Sequence, residues 1–248
     1  MEKEIVHIHQ VVTRLPELRF AEPVEWRICE GEQWAVVGPN GAGKTLLADI
    51  LQRKFAFREG EVCYNKEGKV SDIIRSIAFK DIYSLADCRN SYYQQRWHAT
   101  ESDDVPTVAE TLSAYEGTEN LKEVLHIFGI EDLLPKKLIY LSSGELRKFL
   151  IVRTLLSRPE ILILDNPFIG LDAPSRDLLV DMLGQLSHLH GVQVILLLSN
   201  PADIPDMITH VLPIAGKKCY PPMSREAFLA DTAPVSYTHL RAHETRSN

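Results

Sequence analysis

With 248 residues and an apolar fraction of 45%, the chain has material for one large domain or two small ones around a sizeable buried core. Its 27 Lys and Arg stand against 34 Asp and Glu, a net charge of −7, which removes the electrostatic basis for gripping a polyanion, so no nucleic-acid partner is expected. Cys29, Cys63, Cys88 and Cys219 form no C-x-x-C pair, no apolar run reaches the roughly 18 residues of a membrane span, and the first four residues lack a signal-like stretch; reduced thiols, a cytoplasmic setting and no direct membrane span follow as expectations.

Residues 5–12 and 24–28 read as strands. Residues 33–37 form a short apolar strand running into glycines, and residues 45–51 have helical periodicity, so strand, glycine loop and helix follow in order. From about 82 to 157 the pattern is mainly helical and polar, with helices predicted over 107–114, 121–128 and 144–156; this reads as an inserted helical lobe. The apolar runs 161–164 and 192–198 have the character of strands covered on both faces, with a helix over 175–189 between them. A parallel α/β sheet is the economical fold.

Gly38-Pro39-Asn40-Gly41-Ala42-Gly43-Lys44-Thr45 fits G-x-x-x-x-G-K-[ST] between an apolar strand and a helix that continues with Leu46, the context this phosphate-binding motif requires. Glycines let backbone N–H groups turn toward a β-phosphate, Lys44 supplies charge to the β- and γ-phosphates, and the Thr45 hydroxyl is a ligand for Mg²⁺. ATP with Mg²⁺ is the expected cofactor. Strand 161–164 ends in Asp165, a carboxylate suited to Mg²⁺ beside a phosphate loop, though a turn-forming Asp is the plain alternative. In Leu141-Ser142-Ser143-Gly144-Glu145, Ser142 and Glu145 have capping-box spacing, and the same small-residue helix start can present N–H groups and hydroxyls to an anion.

Together with Gly170-Leu171-Asp172, these segments resemble the ABC ATPase family, in which Leu141 to Glu145 is the LSGGQ-like signature and Gly170 to Asp172 the D-loop. The resemblance covers nearly all of residues 1–234, taken as one nucleotide-binding domain. It implies a P-loop NTPase (RecA-like) core with a mostly parallel sheet, an N-terminal antiparallel β-subdomain and a helical subdomain over about 82–157. Phe128-Gly129-Ile130, Tyr140-Leu141-Ser142, Arg147-Lys148, Pro167-Phe168, Ser175-Arg176 and Asp203-Ile204-Pro205 are further similar to the first cassette of tandem ModF-type proteins, associated with molybdenum transport. That implies a second cassette as partner, in the same chain or in a homodimer, and a membrane permease beyond it. Residues 235–248 back-translate to a transposon-based sequencing adapter, so the native sequence is expected to stop near Pro234.

Several positions depart from the family pattern. Asn166 stands where a glutamate general base is placed, and an amide cannot accept a proton from attacking water, so hydrolysis at this site is expected to be weak. The switch histidine expected after the 192–198 strand is replaced in Ser199-Asn200, with Asn200 taken as its counterpart, and Asp81 takes the place of the glutamine expected after the strand 77–79, with a role at the metal. No tyrosine is available to stack on adenine; Arg14 and Phe20 are the substitutes considered. Arg147 and Lys148 read as solvated helix residues, and His7 and His9, sharing one strand face with no third ligand in the neighbouring sequence, as ordinary strand positions.

Overall fold

The computed structural model describes residues 3–79, 105–189 and 191–231. The chain divides into two compact units, the first drawn from residues up to Ile73 and from Gln193 onward, the second spanning Ile74–Val192.

In the first unit β1 (Glu4–Thr13) is the middle of an antiparallel sheet, flanked by β2 (Val24–Cys29) and β4 (Phe57–Tyr64). Strict alternation sends Val6 and Ile8 of β1 and Val24, Trp26 and Ile28 of β2 into the core, leaving the opposite face polar. The β1–β2 register slips between Ile8 and Val11, where Gln10 adopts φ 47°, the signature of a bulge. A Cβ on Gly60 of β4 would lie 2.3 Å from the carbonyl oxygens of His9 and Gln10, so only glycine admits the bulged strand so close. Parallel pairing joins β3 (Trp34–Val37) to β7 (Gln193–Leu198) on one side and to β8 (His210–Ala215) on the other. Every residue of β3 and β7 is buried, as continuous apolar runs covered on both faces should be. The short strands β9 (Lys218–Cys219) and β10 (Met223–Ser224) run antiparallel to β8. Helix α1 (Lys44–Leu51) leaves the end of β3; α2 (Val70–Ile73) and α7 (Arg225–Asp231) complete the unit.

In the second unit β5 (Ile74–Ala78) pairs in parallel with β6 (Ile161–Asp165), placing Ala78 opposite Asp165. Around them lie α3 (Val108–Leu112), α4 (Glu119–Phe128), α5 (Ser143–Leu155) and α6 (Ala173–Leu189). Thr107 opens α3 with a complete capping box to Glu110, and Gly129 closes α4 in the left-handed conformation. Phe128, Phe149, Ile130 and Leu138 are fully buried.

The sequence reading omits β4 and β8. Only Val62 of β4 is buried, so its hydrophobic signal is nearly absent. In β8, Pro213 argues against an interior strand, yet it lies opposite Val37 of β3, and its carbonyl accepts from Tyr220 N. No helix among the described residues is long and apolar enough to cross a membrane.

Candidate functional site

The phosphate loop is held from several sides. Gly38 N donates to Leu198 O at 3.1 Å, and a Cβ on Gly38 would fall 2.0 Å from the Ile214 carbonyl oxygen, so β7 and β8 both fix where the loop begins. Gly41 (φ 80°) and Gly43 (φ 109°) take left-handed conformations that curl the chain back on itself. Lys217, in the turn between β8 and β9, donates its N–H to Ala42 O at 3.0 Å. Phe20 lies over Gly43, its ring edge 3.2 Å from where a Cβ would stand. From the end of β7, the Ser199 hydroxyl donates to Asn40 Oδ1 at 2.8 Å.

Lys44 is only 5% exposed, and its ammonium donates to Gly38 O at 2.7 Å and Pro39 O at 2.9 Å. The sequence gives it a charge role without a part in the core; the structure gives it both, because a buried ammonium must be hydrogen-bonded and the loop carbonyls are within its reach. Gly43 brings no capping side chain to α1, so the helix opens with backbone N–H groups directed at the loop, the arrangement that receives phosphate.

In the second unit Asp165 ends β6 buried, 7% exposed. Asn166 follows in the left-handed region at φ 51° and turns its side chain back, Nδ2 donating to Asp165 Oδ1 at 2.7 Å. Pro167 comes next, and its carbonyl accepts from Arg147 Nη1 at 2.5 Å while Nη2 donates to Ile169 O. Arg147 is 5% exposed and lies 5.2 Å over the Phe79 ring, so the solvated-residue reading is wrong for it. These two carbonyl oxygens, in one turn outside regular structure, need donors, and the planar guanidinium supplies them. Lys148 is half-buried.

The signature forms the N-terminus of α5. Ser142 accepts from Glu145 N at 3.2 Å, and Glu145 accepts from Ser142 N at 2.7 Å and from Lys136 Nζ at 2.8 Å. Burial by itself would raise the Glu145 carboxyl, but these hydrogen bonds and the nearby Lys136 charge hold it below the usual carboxylate range. A cleft lined by Ser142, Glu145, Lys148, Leu171 and Ser175 opens beside it. Asp172 accepts from Ser175 N at 3.1 Å and so starts α6.

The ABC transporter family profile matches residues 21–169, the stretch holding the phosphate loop, the signature and Asp165. The chain belongs to the ABC ATPase cassette family. An uncharacterised ABC transporter ATP-binding protein of Schizosaccharomyces pombe is 31% identical over 79% of this chain and 42% of its own length. The ABC transporter ATP-binding protein ModF of Escherichia coli is 32% identical over 82% of this chain and 41% of its own. The chain thus spans about two-fifths of the length of these relatives. A solved structure of CbiO1 from Clostridium perfringens, part of the ABC transporter complex CbiONQ, superposes with a TM-score of 0.76 at 18% identity, covering 97% of this chain and 96% of that one; it shows the shared P-loop NTPase fold. An ATP-binding cassette of an ABC transporter in its ADP conformation superposes with a TM-score of 0.72 at 15% identity, covering 96% and 98%.

As an ABC cassette, the chain holds its sequence-derived site residues in two separate units: residues 38–46 and Asn200 in the first, Asp165, Asn166, the signature and the D-loop in the second. Asp81 lies outside the described residues, as do residues 232–248. Asn200 does not face the phosphate loop through a hydrogen bond of its side chain; its Oδ1 accepts from Ala202 N at 3.2 Å, capping the helical turn Pro201–Asp203. Its neighbour Ser199 makes the contact to the loop. The sequence marks Ser199 only as part of the altered switch position and gives no sign of its bond to Asn40, 159 residues away; Lys217 carries no signal, since its bond depends on a tight turn in which it sits at φ 56°.

Proposed function

We propose that this ABC cassette binds Mg-ATP through residues 38–46 and pairs head-to-tail with a second cassette in a transport-related cycle, its own site holding ATP with weak turnover. The observation that carries the reading is Asn166: the position family resemblance gives to a general base bears an amide, and that amide is engaged as a donor to Asp165 at 2.7 Å. An amide donor has no lone pair basic enough to take a proton from water. Lys44 would exchange its bonds to Gly38 O and Pro39 O for phosphate oxygens, and the uncapped start of α1 would receive the β-phosphate. Phe20, lying beside Gly43, is our choice over Arg14 for the ring that meets the adenine.

The hydroxyl of Thr45 and the carboxylate of Asp165 are hard oxygen donors of the kind Mg²⁺ prefers, so we assign them to the ion, with Asp81 a further carboxylate from the sequence. Mg²⁺, when bound, neutralises charge on the β- and γ-phosphates. Ser142 and the start of α5, with Gly170, Leu171 and Asp172, would face the nucleotide of the partner cassette. Relatives of which this chain spans only about two-fifths support a second cassette in the same polypeptide, and a membrane permease reached from the cytoplasmic side would be the next partner.

Single-turnover hydrolysis, with the partner cassette's own site disabled, tests the proposal. Asn166→Glu is expected to raise the rate, by up to the roughly 10²–10⁴ of a general base, and Asn166→Glu with Asn200→His further. Fast turnover by the unaltered chain, not increased by Asn166→Glu, overturns it. The same observation favours a second reading, a regulatory module whose ATP-held pairing is itself the output; pairing that persists with no turnover in any variant would select it.

A further inference from the structure

The polar face of the antiparallel sheet carries a cluster that nucleotide chemistry does not use. His7 and His9 share that face of β1, and Glu25 of β2 joins them; one ligand atom from each lies within 4.8 Å of the other two. Glu25 Oε1 is 2.6 Å from His7 Nε2, and its Oε2 is 3.3 Å from His9 Nδ1. The third ligand missing from the neighbouring sequence is therefore supplied by the adjacent strand. Gln10, at the bulge that Gly60 permits, donates both its backbone N–H and its side-chain amide to Glu25 Oε2 at 3.0 Å, so the carboxylate is aimed before any ion arrives. Partial burial works against its charge, but the bonds from His7 and Gln10 bring the Glu25 carboxyl down to about 2.

We propose that His7, His9 and Glu25 form a binding site for a divalent transition cation of the zinc type. Two imidazoles and one carboxylate are a donor set that suits zinc and is a poor one for Mg²⁺, which prefers oxygen. Tetrahedral zinc with bonds of about 2.0–2.2 Å sets its ligand atoms roughly 3.3–3.6 Å apart, so the His9–Glu25 spacing already fits and the His7–Glu25 spacing has to open. Glu4 Oε1 stands 3.8 Å from the other His7 ring nitrogen, placed to orient a ligating imidazole from behind. Glu61 and Cys63 of β4 sit opposite His9 and His7 in the ladder, and Glu61 adds negative charge to the face. Among the described residues Arg27 opposes the cation: its Nε lies 3.3 Å from His7 Nε2 and competes for that nitrogen's lone pair once the proton shared with Glu25 has left it. Its side chain is 64% exposed and lies 4.0 Å from Glu4, so it can leave without burying a charge.

Calorimetric titration of the full chain with zinc chloride, under excess Mg²⁺ and without nucleotide, tests this. Zinc binding unaffected by Mg²⁺ is expected, with one equivalent weakened more than about tenfold in both His7→Ala and Glu25→Gln. Arg27→Gln should tighten the same equivalent several-fold, an effect that a merely structural arginine does not predict, and Cys63→Ser should leave it in place. Tryptophan fluorescence, reporting Trp26 beneath the sheet, verifies the fold of each variant. No zinc uptake by the unaltered chain overturns the proposal, as does uptake that survives His7→Ala and Glu25→Gln but is lost in Cys63→Ser.

Discussion

Two helices begin at functional segments, and they begin in opposite ways. Helix α1 starts at Gly43 with no capping side chain, and a buried lysine occupies the loop before it. Helix α5 starts with a full capping box in which Ser142 and Glu145 satisfy each other's backbone N–H groups, reinforced by Lys136. No side chain caps the first terminus, and the fold around it holds the loop through bonds with Leu198, Lys217 and Ser199. The second is self-sufficient, so an anion approaching it meets a carboxylate that must be tolerated or displaced. Ligand strength is thus expected to come from the first, and discrimination from the second.

The sharpest way to break the contrast is Gly38→Ala, which drives a Cβ into the Ile214 carbonyl. It should cost about 3 kcal/mol or more of stability, read as a lowered denaturation midpoint, and abolish ATP binding; a variant of unchanged stability would show that β8 yields. Lys44→Ala comes next. ATP affinity should fall at least about a hundredfold, in line with roughly 1.5–3 kcal/mol for each hydrogen bond to a charged group, and the melting temperature should drop modestly because Gly38 O and Pro39 O lose their donor. Retention of affinity in equilibrium binding would remove the lysine from the phosphate site.

At the second terminus the expected effects are smaller. Ser142→Ala should destabilise by about 1 kcal/mol without altering nucleotide affinity of the isolated chain, whereas Ser142→Arg should spare that affinity and block ATP-dependent pairing, measured by sedimentation. The gentlest probe is acid. Because the folded Glu145 carboxyl lies below its ordinary value of 4.5, its contribution is present above that pH and is lost as pH falls through the folded value. Glu145→Gln should therefore lower stability modestly near neutrality, where the ionised carboxylate contributes fully, and the gap to the unaltered chain should close as pH falls below about 4.5.

Much of this was legible because the relevant information is local. The phosphate loop, the Ser142–Glu145 capping box and the apolar strands β3, β6 and β7 announce themselves by spacing within a dozen residues. What escaped depends on partners far along the chain: Arg147 reads as a surface residue until Pro167 and Ile169 present their carbonyls, and Glu25 reads as an ordinary strand carboxylate until β1 bulges toward it. Gly60, unremarkable in sequence, owes its identity to the carbonyls of His9 and Gln10.

Asn166 precedes Pro167, and the order of those two residues bears on how the protein ages. Spontaneous conversion of asparagine to aspartate runs through a cyclic imide, formed when the next residue's backbone nitrogen loses its proton and attacks the side-chain carbonyl. Proline's nitrogen has no proton to lose. The amide at this position is therefore shielded from the ordinary route of deamidation, and a preparation stored for weeks should not drift toward a carboxylate beside Asp165, whatever happens to asparagines elsewhere in the chain.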